Sequence, residues 1–211
     1  MTAGDRQTIP AKCQRCERPL SEIAVCDYCH SLNPGAATVD YFTLLGLPRQ
    51  FELDEDSLTE RFHALSRTVH PDAHGGESSD ARLLSVQLSA AVNDAYRTLK
   101  SPFLRAGYLL ELLGGRSSAE DKSVPEGFLN TMMMMQEEVH DAQVAGNAAE
   151  LERLRAVLTT QHDGLIRRIA GLFADLAKAD ACPAVRTDLL GEIRRQLNAV
   201  SYVRKLQELA G

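Results

Sequence analysis

The chain has 211 residues, 44% of them hydrophobic and 25% charged, with a formal net charge of -6. This length and apolar fraction suffice for one to two domains with real cores, and the longest apolar runs are short and interrupted by charge, which excludes a transmembrane helix. The charge divides as about 0 over residues 1–37, -4 over 38–113 and -2 over 114–211, so no segment carries the cationic patch that strong nucleic-acid binding requires.

Residues 1–37 are rich in Cys, Pro and Gly, have little periodicity and end in Asn33-Pro34-Gly35, a turn and linker signal that predicts a separate small module. Within it, Cys13-Gln-Arg-Cys16 and Cys26-Asp-Tyr-Cys29 form two knuckles separated by nine residues. Four thiolates at this spacing satisfy the tetrahedral preference of a structural zinc ion, and a module this small needs the metal for most of its folding free energy. Met1 to Pro10 shows no basic region followed by an apolar stretch. The expected compartment is therefore the cytoplasm, where cysteines stay reduced and paired knuckles favour metal over disulfides. A redox role would call for a βαβ pattern beside one pair, and none is visible. His30 adjoins Cys29 but reads better as a solvated loop residue than as a substitute ligand. Cys182, alone before Pro183, reads as a buried small apolar residue.

From Asp40 onwards the apolar residues recur at helical spacing, which predicts an all-α remainder. Asp40 caps a short helix through Leu45, stopped by Gly46 and Pro48. Asp54 opens a longer helix with the stripe Leu58, Phe62, Leu65 and Val69, and Pro71 ends it. The next helix, Ser78 to Lys100, has the stripe Leu84, Leu88, Ala91, Ala95 and Leu99 and is expected to pack antiparallel to its predecessor. Ser101-Pro102 fits the start of a fourth helix carrying Phe103, Leu104, Tyr108, Leu109 and Leu112. Gly114-Gly115 marks a boundary. Beyond it, Val124-Pro125-Glu126 is expected to start a helix ending near Gly146-Asn147, a second runs from Ala148 to Lys178, and Cys182-Pro183 precedes a third, enough for a three-helix bundle.

His70-Pro71-Asp72 alone says little, because histidine in a last helical turn and proline after it are ordinary stop signals. Its surroundings say more. Asp40-Tyr-Phe-Thr-Leu-Leu-Gly-Leu47 lies one helix upstream, Arg61-Phe-His-Ala-Leu65 lies in the intervening helix, and Val92-Asn-Asp-Ala-Tyr-Arg-Thr-Leu99 follows in the next. Together they resemble the J-domain of DnaJ-like co-chaperones. The run Ser101-Pro-Phe-Leu-Arg-Ala-Gly-Tyr-Leu-Leu110, ahead of a helical C-terminal part, looks more specifically like the HscB-type iron–sulfur cluster co-chaperones, some of which also carry paired cysteine knuckles.

The resemblance implies that a helical hairpin presents His70, Pro71 and Asp72, with the cations Arg61 and Arg67, to a DnaK-type chaperone and stimulates its ATP hydrolysis. It also implies that the C-terminal part binds the scaffold protein on which iron–sulfur clusters are built. One departure is the helix before the tripeptide, where Arg61 and Arg67 stand among Glu55, Asp56 and Glu60, and Ala73 follows the tripeptide. Electrostatic steering of the chaperone is thereby weakened, which alters on-rate more than activity. No nucleophile signature stands beside His70 and Asp72 and no Gly-rich loop cradles phosphate, so an enzyme is not expected.

In the first C-terminal helix Phe128, Met132, Met135, Val139 and Ala142 share one narrow stripe, the expected core seam. Leu129 and Met133 lie well to one side of it, continued at i+4 steps by Glu137 and Asp141, with Met134 further round. An apolar strip ending in acids suits a protein-binding face, although four methionines can also simply fill a loose core. Family matching puts the scaffold site at Leu129, Asn130, Met133, Met134, Glu137 and Asp141, with Tyr202 from the last helix.

The expectation is thus an all-α, L-shaped co-chaperone with a zinc-knuckle module (1–37), a J-domain (38–113) and a three-helix client-binding domain (114–211). The metal ligands are Cys13, Cys16, Cys26 and Cys29. The expected partners are a DnaK-type ATPase chaperone and an iron–sulfur cluster scaffold protein, with no nucleic acid and no membrane. The rivals are a general J-protein with another client and a zinc-dependent nucleic-acid-binding protein.

Overall fold

In the computed structural model, which describes residues 12–74, 76, 78–178 and 182–211, helices dominate and no strand occurs among the described residues. Met1 to Pro10, read above for export signals, lies outside them. No helix among the described residues is long and apolar enough to cross a membrane. The chain forms two compact units, Met1–Ser101 and Pro102–Gly211.

The first unit begins with the two cysteine knuckles, each closed by an isolated bridge, Lys12 to Pro19 around the first and Val25 to Leu32 around the second. The segment expected to be a linker is part of the core instead. Asn33 is buried, its Nδ2 donates to the Ile23 carbonyl at 2.7 Å, and its Oδ1 accepts from the Gly35 N–H at 3.1 Å. That bond caps a 3₁₀ turn, Pro34–Thr38, whose Ala36 is fully buried and which packs against the third α-helix. An Asn-Pro-Gly string reports a chain reversal, and whether the reversal is solvated depends on what lies beneath it.

Helix α1 (Tyr41–Leu44) is capped by Asp40, whose Oδ1 accepts the N–H groups of Phe42 and Thr43 at 3.0 and 3.1 Å. Helix α2 (Glu55–Val69) starts where the Asp54 carboxylate accepts the Ser57 N–H, and α3 (Ser79–Lys100) starts where Ser78 Oγ accepts that of Ala81. The α2 and α3 stripes meet: Leu58 and Val69 are buried with Leu88, Val92, Ala95 and Leu99, and Phe62 stacks on Tyr96 with centroids 4.1 Å apart. Phe62, Leu65, Leu84 and Ala91 are half-buried at the edges of this seam.

The second unit contains α4 (Pro102–Leu112), α5 (Phe128–Val144), α6 (Ala148–Lys178) and α7 (Pro183–Ala210). Helix α4, expected with the hairpin, packs on α6 and α7, burying Ala106, Leu109 and Leu110. The Gly114–Gly127 segment is held down by α7. Arg186 donates to the Leu113 carbonyl, Arg194 to that of Arg116 at 2.7 Å, and Asn198 to those of Asp121 and Ser123. Met132, Val139 and Ala142 of α5 form one cluster with Leu154 and Leu158 of α6 and Val203, Leu206 and Ala210 of α7.

Two expectations need correction. Helix α5 starts at Phe128 rather than beside Pro125, because Gly127 takes a left-handed conformation (φ 73°) that breaks the helix path. Cys182 is exposed, since it sits in extended conformation at the N-cap of α7, outside the packed turns. At the other joint, Gly146 (φ 62°) ends α5 as the Asn147 N–H bonds back to the Ala142 carbonyl, and the Asn147 side chain accepts the Glu150 N–H to start α6.

Asp40 ties α1 to the loop behind it, because Arg49 donates to its Oδ2 at 2.7 Å and Thr43 Oγ1 donates to the same oxygen. Burial works against its charge, but these bonds outweigh it and hold the carboxyl below its ordinary value. A depressed carboxylate stabilises the fold above its unfolded value near pH 4, and the contribution disappears as pH falls through the folded value. Asp40→Ala should therefore cost about 1 kcal/mol at pH 7, with the difference from the unaltered chain shrinking below about pH 4. Denaturant unfolding at the two pH values measures both.

Candidate functional site

The four cysteines of the knuckles converge. Their Sγ atoms all lie within 4.8 Å of one another, with Cys13 to Cys29 at 3.6 Å and Cys16 to Cys26 at 3.7 Å. Four sulfurs around a tetrahedral ion at a metal–sulfur distance of about 2.3 Å stand about 3.8 Å apart, so the donor set has the spacing of a closed metal site. The two knuckles share one local geometry. The Glu17 N–H bonds to the Cys13 carbonyl and the His30 N–H to that of Cys26, both at 2.9 Å, with Glu17 and His30 left-handed at φ 60° and 57°. This turn folds each pair of sulfurs inward, and it explains His30: an exposed corner residue, outside the sulfur cluster.

Sequence reading missed Ser31, whose hydroxyl lies 3.3 Å from Cys13 Sγ and 3.1 Å from Cys29 Sγ. Its bond holds the Cys13 thiol down at about 6 and lowers that of Cys29. The Arg18 N–H favours the Cys16 thiolate, but burial and the neighbouring sulfurs overcome it and push Cys16 up to about 11. Sulfurs this close resist ionising together unless a cation lies between them, so the cluster fits a metal ion.

The tripeptide sits where α2 stops. His70 is extended, Pro71 opens a 3₁₀ turn through His74, and the His70 and Asp72 side chains are 57% and 92% exposed. His70 Nδ1 accepts the Asp72 N–H at 3.2 Å, and the Ala73 N–H closes on the His70 carbonyl at 3.0 Å. This leaves Nε2 as the donor of the neutral ring and the carboxylate as an acceptor, a compact polar pair facing solvent. Arg67 is exposed on the last turns of α2, while Arg61 leans on the Leu45 carbonyl at 3.5 Å.

On α5 the two faces separate as the wheel predicts. Met132, Val139 and Ala142 are buried, with Phe128 and Met135 packed against their cluster. Leu129, Met133 and Met134 are 45%, 62% and 64% exposed, so the methionines do not all fill the core. Asn130, Glu137 and Asp141 are exposed as well. Met133, Glu137 and Asp141 line an open depression with Gln136 and His140, two residues the sequence reading did not include although they lie within two helical turns of Met133. Tyr202 of α7 is exposed and meets Phe128 edge-on at 6.3 Å, with Lys205 Nζ 5.8 Å from its ring.

Residues 124–209 match the family described as the HSCB C-terminal oligomerisation domain. Among solved structures, the chaperone HscB of Vibrio cholerae is 31% identical, with 82% of this chain and 95% of that one covered and a TM-score of 0.67. The human co-chaperone protein HscB is 25% identical, with 94% and 96% covered and a TM-score of 0.77.

The burial pattern of α5 separates two kinds of methionine. Met132→Ala should lower the unfolding free energy of the second unit by about 2 to 5 kcal/mol, whereas Met133→Ala should leave it within about 0.5 kcal/mol. Thermal and denaturant melts of the two variants test the assignment.

Proposed function

Because this chain belongs to the HscB family of co-chaperones, we propose that it holds an iron–sulfur cluster scaffold protein and delivers it to a DnaK-type chaperone. In doing so it stimulates that chaperone's ATP hydrolysis. The observation that carries this reading is the exposed His70-Pro71-Asp72 turn at the end of α2 in one unit together with an exposed apolar strip on α5 in the other. We assign three functional parts to the chain: a metal module (1–37), a chaperone-docking part (38–113) and a client-binding part (114–211). It acts as an adaptor, with no reaction of its own, in the cytoplasm.

On the docking side His70 and Asp72 supply the polar pair, Pro71 fixes the backbone between them, and Arg61 and Arg67 supply the positive charge available on α2. On the client side Leu129, Met133 and Met134 supply apolar contact that methionine adapts to a partner's contours. Asn130, Glu137, Asp141 and Tyr202 set its polar edge. Binding both partners on one chain raises the effective concentration of client at the chaperone.

Two variants separate the docking and client sides. Asp72→Asn should abolish ATPase stimulation yet bind scaffold normally, while Leu129→Ala with Met133→Ala should weaken scaffold binding at least about tenfold with stimulation by the variant alone retained. Calorimetric titration and steady-state ATPase assays read the two effects. Retained scaffold affinity in the second variant would point to another client surface, leaving a general J-protein as the reading.

For the cluster of Cys13, Cys16, Cys26 and Cys29 the resident ion we propose is zinc, which cross-links the two knuckles and carries out no chemistry on a substrate. Purified protein should contain about one zinc ion per chain, lost in Cys13→Ser with Cys26→Ser. Metal analysis of both proteins decides it, and iron in place of zinc would overturn the assignment.

A further inference from the structure

Helix α2 must end at Val69 because Pro71 has no N–H to continue the ladder, and the last carbonyls of a helix have no partner within it. Helices usually meet this by ending in water or in a left-handed glycine. Here Val69 is fully buried, and its carbonyl accepts two hydroxyls from α3: Ser85 Oγ at 2.6 Å and Ser89 Oγ at 3.0 Å. The serines stand one turn apart, so both reach the same oxygen and use both its lone pairs. The preceding carbonyl, of Thr68, lies 3.0 Å from His74 Nε2. A carbonyl only accepts, so this nitrogen carries the ring proton.

Ser85 is fully buried and His74 is 4% exposed. Polar side chains in a core are costly unless bonded, yet both are aimed at the two residues directly before the exposed tripeptide. The bonds within the turn, from Asp72 to His70 Nδ1 and from Ala73 to the His70 carbonyl, fix its internal shape and would travel with it as a body. The serine bonds tie the end of α2 to α3, and His74 ties the 3₁₀ turn to the end of α2.

We infer that Ser85, Ser89 and His74 are positioning residues that fix how His70, Pro71 and Asp72 are offered to the chaperone; the inference rests on the proposed docking role of that tripeptide. Removing the hydroxyls leaves the side chains of His70 and Asp72 in place but loosens the frame that aims them. A small misplacement of a polar group lowers the rate it supports far more than it lowers affinity.

The test uses the full chain and the specialised DnaK-type chaperone of the same organism, assayed below the melting temperature of each variant. Ser85→Ala with Ser89→Ala should keep the helical signal and scaffold binding, speed hydrogen exchange in the last turn of α2, and lower maximal ATPase stimulation about tenfold. Ser89→Thr, which keeps a hydroxyl, should stimulate normally. A purely structural role predicts earlier melting with full stimulation, and that result overturns the inference. Should the double variant not fold, His74→Phe, which keeps ring volume and loses the N–H, makes the same comparison. No stimulation by the unaltered chain, or full stimulation by Asp72→Asn, overturns the docking reading itself and the positioning role with it.

Discussion

Pro71 imposes the constraint on which the first unit turns. It stops α2 at a buried valine, and a stopped helix inside a core leaves carbonyl oxygens that water cannot reach. Each unpaired group would cost about 1 to 3 kcal/mol, enough to favour a different chain path. Serines on the inner face of α3 remove that cost, and they do so only in the register where Leu88, Val92, Ala95 and Leu99 face Leu58 and Val69. The polar bonds and the apolar seam thus select the same packing, and the exposed turn follows from both.

In the second unit the governing fact is that α5 lies against its neighbours on one side only. Its buried stripe joins α6 and α7, so residues rotated away from it must meet solvent or a partner. That is why adjacent methionines have opposite surroundings: Met132 is 5% exposed and Met133 62%. Exposed apolar side chains in a row are informative where single ones are not, and Leu129, Met133 and Met134 are exposed within five residues of one another on one helix.

Much of this was legible in the sequence where a local rule had no competitor. Asp40, Asp54 and Ser78 cap helices because their side-chain oxygens reach nearby N–H groups whatever the tertiary context. The cysteine spacing anticipated the sulfur cluster for a similar reason, since two short knuckles leave few other ways to turn. Failures came where distant packing decided. Asn33 reads as a loop residue until Ile23 offers a carbonyl, and α4 reads as part of the hairpin until α6 and α7 offer it a surface. Pro125 is a plausible helix start, but Gly127 two residues on takes a left-handed turn. Ser85 and Ser89 carried no signal, because a serine beside an apolar stripe looks solvated unless the orphaned carbonyl opposite is known.

Charge bears on how the proposed docking side would work. Helix α2 begins with Glu55 and Asp56 and carries Glu60, so the positive field of Arg61 and Arg67 is partly cancelled within about one Debye length. Arg61 is further drawn toward the Leu45 carbonyl. Long-range attraction therefore contributes little to any encounter at this surface, and complex formation must depend on short-range fit. Short-range fit depends on how rigidly the polar pair is held. A turn closed by its own hydrogen bonds and anchored through buried side chains supplies that rigidity.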